Sequence, residues 1–131
     1  MQALVLNGSP HRARGPTGQL AAALTSGMVE AGASVETVNA YDVNVGSCLG
    51  CFTCWTSTPG VCAVRDDMDQ IVSSLKQADV LILATPVYCD GMTGRLKTIV
   101  DRIIPIIHGA TELRDGHMRH LRRSTTRLHT I

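Results

Sequence analysis

The sequence predicts an α/β protein built on a doubly wound parallel sheet, with three strands in the order 2-1-3 and helices on both faces. Three observations carry that expectation. Short apolar runs alternate with segments of helical period. Two of those runs, 3–6 and 80–84, lack the polar alternation of a half-exposed strand and suit a sheet covered on both sides. Each of the two ends in a Gly- or Pro-containing loop that leads into a helical pattern, as βα units do.

The first run, Ala3-Leu4-Val5-Leu6, is closed by Asn7-Gly8-Ser9-Pro10. From Thr17 onward Leu20, Leu24 and Met28 recur every four residues, which predicts a helix with one apolar stripe, closed by Gly32. Residues 34–40 (SVETVNA) alternate like a second strand, and an aperiodic loop fills about 41–64. Asp66 or Asp67 then caps a helix whose Met68, Ile71, Val72 and Leu75 share one face. Asp79 precedes the third strand, Val80-Leu81-Ile82-Leu83-Ala84. Met92, Leu96, Ile99, Val100 and Ile103 form the next helical stripe, ended by Pro105. The remainder is polar and weakly patterned. This divides the chain into a partial domain at 1–113, with a Cys-rich loop at 45–64, and a basic tail at 114–131. Right-handed crossovers make 2-1-3 the natural order and place ligands outside the carboxyl ends of strands 1 and 3.

With 131 residues the chain is one domain at most, and a net charge of +1 does not suggest a nucleic-acid binder. The charge is uneven: residues 1–113 hold seven Lys/Arg against ten Asp/Glu, and 114–131 hold five Arg against one Asp. A solvated tail is the plainer reading of that contrast, an anionic partner the other. No run approaches the ~18 apolar residues of a membrane span, and no export signal opens the sequence, so a cytoplasmic protein is expected. In a reducing compartment five Cys favour metal, cluster or redox work over structural disulfides.

Three segments carry chemistry. The first, residues 7–18, lies between strand and helix, where glycines admit an anion to the backbone and amides at the helix start point at it. Ser9 and Thr17 add hydroxyls, and Pro16 fits the first helical turn. A plain βα turn is the alternative. The second, residues 84–92, follows the third strand; a Pro-containing turn with Tyr88 offers a flat wall and amide donors to a planar ring. Its alternative is an ordinary turn with a half-buried Tyr.

The third segment is Cys48-x2-Cys51-x2-Cys54-x7-Cys62. Four thiolates at this compact spacing suit a [4Fe–4S] cluster, with Phe52 and Trp55 as shields. Thiols that pack without metal, or pair in a redox disulfide, are the alternative. Zinc fits less well, because its two C-x2-C pairs usually stand a dozen or more residues apart. Cys89 reads as a small loop residue, Asp101 and Arg102 as solvated charges, and His117 and His120 as surface histidines.

These segments resemble the NAD(P)H-dependent FMN reductase and iron-sulfur flavoprotein family within the flavodoxin-like fold. Gly8-Ser9-Pro10 with Gly15 and Thr17 is similar to the family's phosphate loop. Cys51-Phe52-Thr53-Cys54-Trp55 with Thr58-Pro59-Gly60, Cys62 and Asp66-Asp67-Met68 is similar to its cysteine segment. Ala78-Asp79 through Thr85-Pro86-Val87-Tyr88, then Gly91-Met92, Leu96-Lys97 and Asp101-Arg102, is similar to its flavin-ring loop and following helix. The resemblance implies FMN held by Ser9, His11, Thr17, Gly18, Thr85, Pro86, Val87 and Tyr88. It implies electrons passed from NAD(P)H or ferredoxin to a small acceptor, with metal ligands Cys48, Cys51, Cys54 and Cys62 in the iron-sulfur branch. No residue stands out as a catalytic acid or base. The phosphate loop departs from the pattern at His11 and Pro16 and carries extra residues at 12–14, whose arginines read equally as substitute phosphate partners or as exposed residues of a flexible loop.

Against the family pattern the chain reads as truncated after the third strand and its helix, without strands 4 and 5. Strand 3 would then be an open edge, and the first and third helices would lack apolar neighbours; a homo-oligomer is therefore expected. Two rival functions follow: a fragment without cofactor or activity, and a metal- or thiol-binding module that uses the four-Cys loop alone.

Overall fold

The computed structural model describes residues 1–123 and 128–131. Its elements are β1 (Gln2–Asn7), α1 (Pro16–Glu30), β2 (Ser34–Asn39), α2 (Met68–Gln77), β3 (Val80–Ala84), α3 (Gly94–Asp101), β4 (Ile107–Arg114), β5 (His117–Arg122) and β6 (His129–Thr130). Single 3-10 turns lie at Arg12–Arg14 and Ile104–Ile106.

β1 is central and pairs in parallel with β2 on one side and β3 on the other, which gives the expected 2-1-3 order. Leu4 stands beside Leu81 and Leu6 beside Leu83; Val5 stands beside Ile82 on the opposite face. Leu4, Leu6 and Leu81 join Met68, Ile71 and Leu75 of α2 with Leu96 and Ile99 of α3 in one core. Asp66 caps α2 by accepting the Met68 N–H at 3.0 Å, while Asp67 accepts the Asn44 N–H at 2.7 Å and tethers the preceding loop. Thr93 caps α3, its hydroxyl accepting the Leu96 N–H.

Three expectations are corrected. The predicted stripe of α1 does not face the sheet: Leu20 and Leu24 are exposed, and the half-buried positions are Thr17, Ala21, Thr25 and Met28. Gly18 packs against Arg12 and Ala13 of the preceding turn, and the leucines lie on another side of the helix. The inner face of α3, by contrast, keeps its apolar neighbours, with Leu96 and Ile99 buried.

The edge of β3 is not open. The short parallel strand β6 pairs with it, Val80 beside His129 and Leu81 beside Thr130. The Ile131 N–H also donates to Leu81 O at 2.9 Å.

Finally, the stretch expected to be a basic tail contributes β5 and β6, although residues 124–127 of it lie outside the described residues. β4 and β5 form an antiparallel hairpin turned by Asp115 (φ 53°) and Gly116 (φ 77°). An Asp-Gly pair is the usual chemistry of such a two-residue turn. The hairpin docks on the cysteine loop: the Trp55 ring lies against Gly109 and stands 5.4 Å from the His120 ring, and its N–H donates to Ile104 O.

Candidate functional site

Two loops leave the carboxyl ends of adjacent parallel strands and are bonded to each other. The Gly8 N–H donates to Ala84 O at 2.7 Å, and the buried Thr93 hydroxyl donates to Gly8 O at 2.8 Å. Residues 8–18 and 85–93 therefore share one rim of the molecule. That is where the sequence placed them.

In the first loop Asn7 turns the chain by accepting the Ser9 N–H at 3.0 Å, and its amide donates to Asn39 of β2. Ser9 is buried, with its hydroxyl accepting the His11 N–H at 3.2 Å. α1 begins at Pro16 after Gly15 with no side chain capping it, so the amides of its first turn remain available. Those amides and the helix dipole form a positive end suited to an anion. Gly18 is buried against the loop: a Cβ there would stand 2.0 Å from Arg12 O and 2.6 Å from Ala13 Cα. Gly18→Ala is therefore expected to push the start of α1 off the loop and to destabilise the fold by about 1–3 kcal/mol. A urea midpoint equal to wild type would show that the close packing does not matter.

His11 is exposed and Thr17 half-buried. Arg12, offered above as a phosphate partner, is engaged otherwise: its Nε donates to Asp42 at 2.6 Å. Arg12 itself stands in the left-handed region, at φ 54°.

In the second loop the Thr85 hydroxyl accepts the Thr93 N–H and donates to Pro86 O, which folds the loop back onto the start of α3. Tyr88 and Gly91 exchange backbone hydrogen bonds at 2.8 and 2.9 Å around Cys89 and Asp90, both at positive φ. That tight turn presents Val87 (78% exposed) and Tyr88 (49%) as bare surface. An apolar wall beside a positive helix end suits a planar ring that carries a phosphate.

The cysteines form a second locus. Cys48, Cys51, Cys54 and Cys62 line one pocket together with Phe52, Arg102 and Pro105. Cys54 is buried and the other three are partly or fully exposed. Burial first, and then the neighbouring Cys62, pushes the Cys54 thiol up. Cys51 is held below the usual thiol range by the hydroxyl and amide of Thr53. Among the described residues no three His, Cys, Asp or Glu side chains converge as a bound ion requires. The soft donor set fits a thiolate-bound centre, and so does a buried N–H of Arg102 that lacks a partner among the described residues. The sulfurs surround the pocket without closing on a point.

Arg102 is the residue that sequence reasoning misjudged. Far from solvated, it is 1% exposed and ion-paired with Asp66, which is itself largely buried. The signal was available: it follows Ile99 by three positions, on the core side of its helix.

Residues 1–118 match the family described as NADPH-dependent FMN reductase. An iron-sulfur flavoprotein of Archaeoglobus fulgidus is 36% identical over 85% of this chain and 49% of its own length. One from Methanocaldococcus jannaschii is 34% identical over 81% of this chain and 53% of its own. The chain thus spans about half the length of the curated relatives it matches. Among solved structures, the NAD(P)H:quinone oxidoreductase of Methanothermobacter marburgensis superposes with a TM-score of 0.66 at 21% identity, covering 79% of this chain and 53% of that one. An FMN-dependent NADH-azoreductase of Bacillus anthracis, solved with FMN, gives 0.67 at 16% identity over 99% and 67%. At such identities the likeness establishes the flavodoxin-like fold.

Proposed function

The chain belongs to the NADPH-dependent FMN reductase family, and from that premise we propose that it binds FMN where its two joined loops meet and works as a flavin-dependent oxidoreductase unit. The observation that carries the reading is the pair of hydrogen bonds through Gly8, which makes one rim of two loops. The phosphate lies at the first turn of α1, where the amides of Thr17 and Gly18 and the hydroxyls of Ser9 and Thr17 serve it, with His11 at the margin. Thr85, Pro86, Val87 and Tyr88 form the wall for the ring. Bound flavin supplies the redox chemistry, exchanging a hydride or single electrons. The protein's part is to orient the ring and leave its far side accessible, consistent with the exposure of Val87 and Tyr88. NAD(P)H is the proposed donor, with ferredoxin as a second candidate, and a small molecule is the acceptor.

The second reading concerns the cysteines: one pocket lined by all four favours a [4Fe–4S] cluster on Cys48, Cys51, Cys54 and Cys62 that exchanges electrons with the flavin. A homo-oligomer is proposed from the bare flank of α1, where Leu20 and Leu24 are exposed.

Titrating the 131-residue chain with FMN tests the first reading. Saturable, weak quenching of flavin fluorescence is expected; an absence of saturable binding would favour a fragment without cofactor. The visible spectrum of anaerobically prepared protein separates flavin, cluster and a colourless thiol or zinc form.

A further inference from the structure

Arg102 spends four hydrogen bonds on the two ends of the cysteine loop. Its Nη1 donates to Gly46 O at 2.8 Å and Asp66 Oδ2 at 2.9 Å, and its Nη2 to Val64 O at 3.0 Å and Asp66 Oδ1 at 3.1 Å. The fifth donor, Nε, has no partner among the described residues although the side chain is 1% exposed. A buried charged group with an unused N–H is costly and uncommon, so its surroundings should explain it. Arg102 lines the same pocket as the four cysteines.

We propose that Arg102 is a positioning residue for an iron-sulfur centre in this pocket, holding the loop with its two Nη groups and donating its Nε–H to a ligating thiolate sulfur. The inference rests on the four-cysteine reading above. A centre bound by four thiolates is anionic, and in a pocket partly closed to water it needs a fixed positive charge nearby. Only a planar fork can grip the loop along one edge while offering a donor along another; a lysine supplies the charge without that geometry. Hydrogen bonds to ligating sulfur favour the reduced, more negative form and so raise the reduction potential.

The full chain is reconstituted anaerobically with Fe2+ and sulfide as wild type, Arg102→Lys and Asp67→Ala. Arg102→Lys keeps a cation beside Asp66 but loses Nε. Asp67→Ala loosens the loop at its Asn44 tether and leaves Arg102 alone. All three are expected to take up the same iron. Arg102→Lys should show a lower midpoint potential and lose iron to a chelator about 10-fold faster, while Asp67→Ala keeps the wild-type potential. A wild-type potential in Arg102→Lys, or equal shifts in both variants, overturns the proposal and leaves Arg102 as a loop anchor only. Failure of the wild type itself to take up iron overturns the four-cysteine reading, and the proposal with it. Should Arg102→Lys not fold by circular dichroism, the paired change Arg102→Gln with Asp66→Asn strands no charge and removes the cation together with Nε; its potential should also fall below the wild-type value, and a wild-type potential there overturns the proposal.

Discussion

Asp66→Ala is expected to lower the unfolding free energy by about 3–5 kcal/mol, the cost of stranding one member of a buried ion pair. Asp66 accepts from Gly46 N–H at 2.9 Å, Met68 N–H at 3.0 Å and both Nη groups of Arg102. One carboxylate therefore caps α2, ties down the cysteine loop and neutralises a guanidinium closed to water. Alanine removes all three roles, and Arg102 keeps only two carbonyls as partners. The effect depends on pH with a definite sign. Burial pushes the Asp66 carboxyl up, but Arg102 and the two amides outweigh it and hold the pKa below the ordinary carboxylate value. A depressed carboxylate contributes its stability above its unfolded pKa, about 3.9, and loses it as pH falls through the lower folded value. Urea midpoints should therefore separate wild type from Asp66→Ala most widely at neutral pH and converge as pH falls through the lowered folded pKa. A gap that persists in acid would mean that the carboxylate charge is not what matters at this position.

How much of this was legible in the sequence differs by element. β1 and β3 were readable because a strand covered on both faces tolerates no polar residue, and Leu4, Leu6 and Leu81 pack where that rule puts them. The joined loops were readable from Gly8 and from Thr85-Pro86, since turn chemistry is local. Period alone failed at α1: it located a helix but chose Leu20 and Leu24 as its inner face. It could not weigh the close approach at Gly18, which depends on where the 3-10 turn before it lies. Period did place Arg102 on the core side, three positions after Ile99, but its partner Asp66 sits 36 residues away, beyond α2 and β3, where no local pattern points to it. The β4–β5 hairpin is a different case. Asp115-Gly116 announced it, but the polar residues on either side hid the alternation that usually accompanies such a turn.

Gly8→Ala should do the most damage to flavin binding, because Gly8 is where the two loops touch. A Cβ at that position would stand 2.8 Å from Leu96 Cβ and 2.9 Å from the Thr93 hydroxyl oxygen. Leu96 cannot yield by rotating, since the clash is at its Cβ and the side chain is fully buried. The start of α3 must move away instead, taking Thr93 out of reach of Gly8 O and unlocking residues 85–93 from β1. Overpacking of this kind costs about 1–3 kcal/mol in stability. A site displaced by a few tenths of an ångström on one wall should lose affinity by about 10-fold or more, if each lost hydrogen bond to the cofactor is worth roughly 1.4 kcal/mol. Thr93→Val makes the test without bulk at Gly8: the volume stays, while the interloop hydrogen bond and the α3 cap both go. FMN titrations of the two variants should give the same direction of change, larger for Gly8→Ala. If Gly8→Ala folds and binds FMN as tightly as wild type, the loops do not act as one rim, and the cofactor must be held by only one of them.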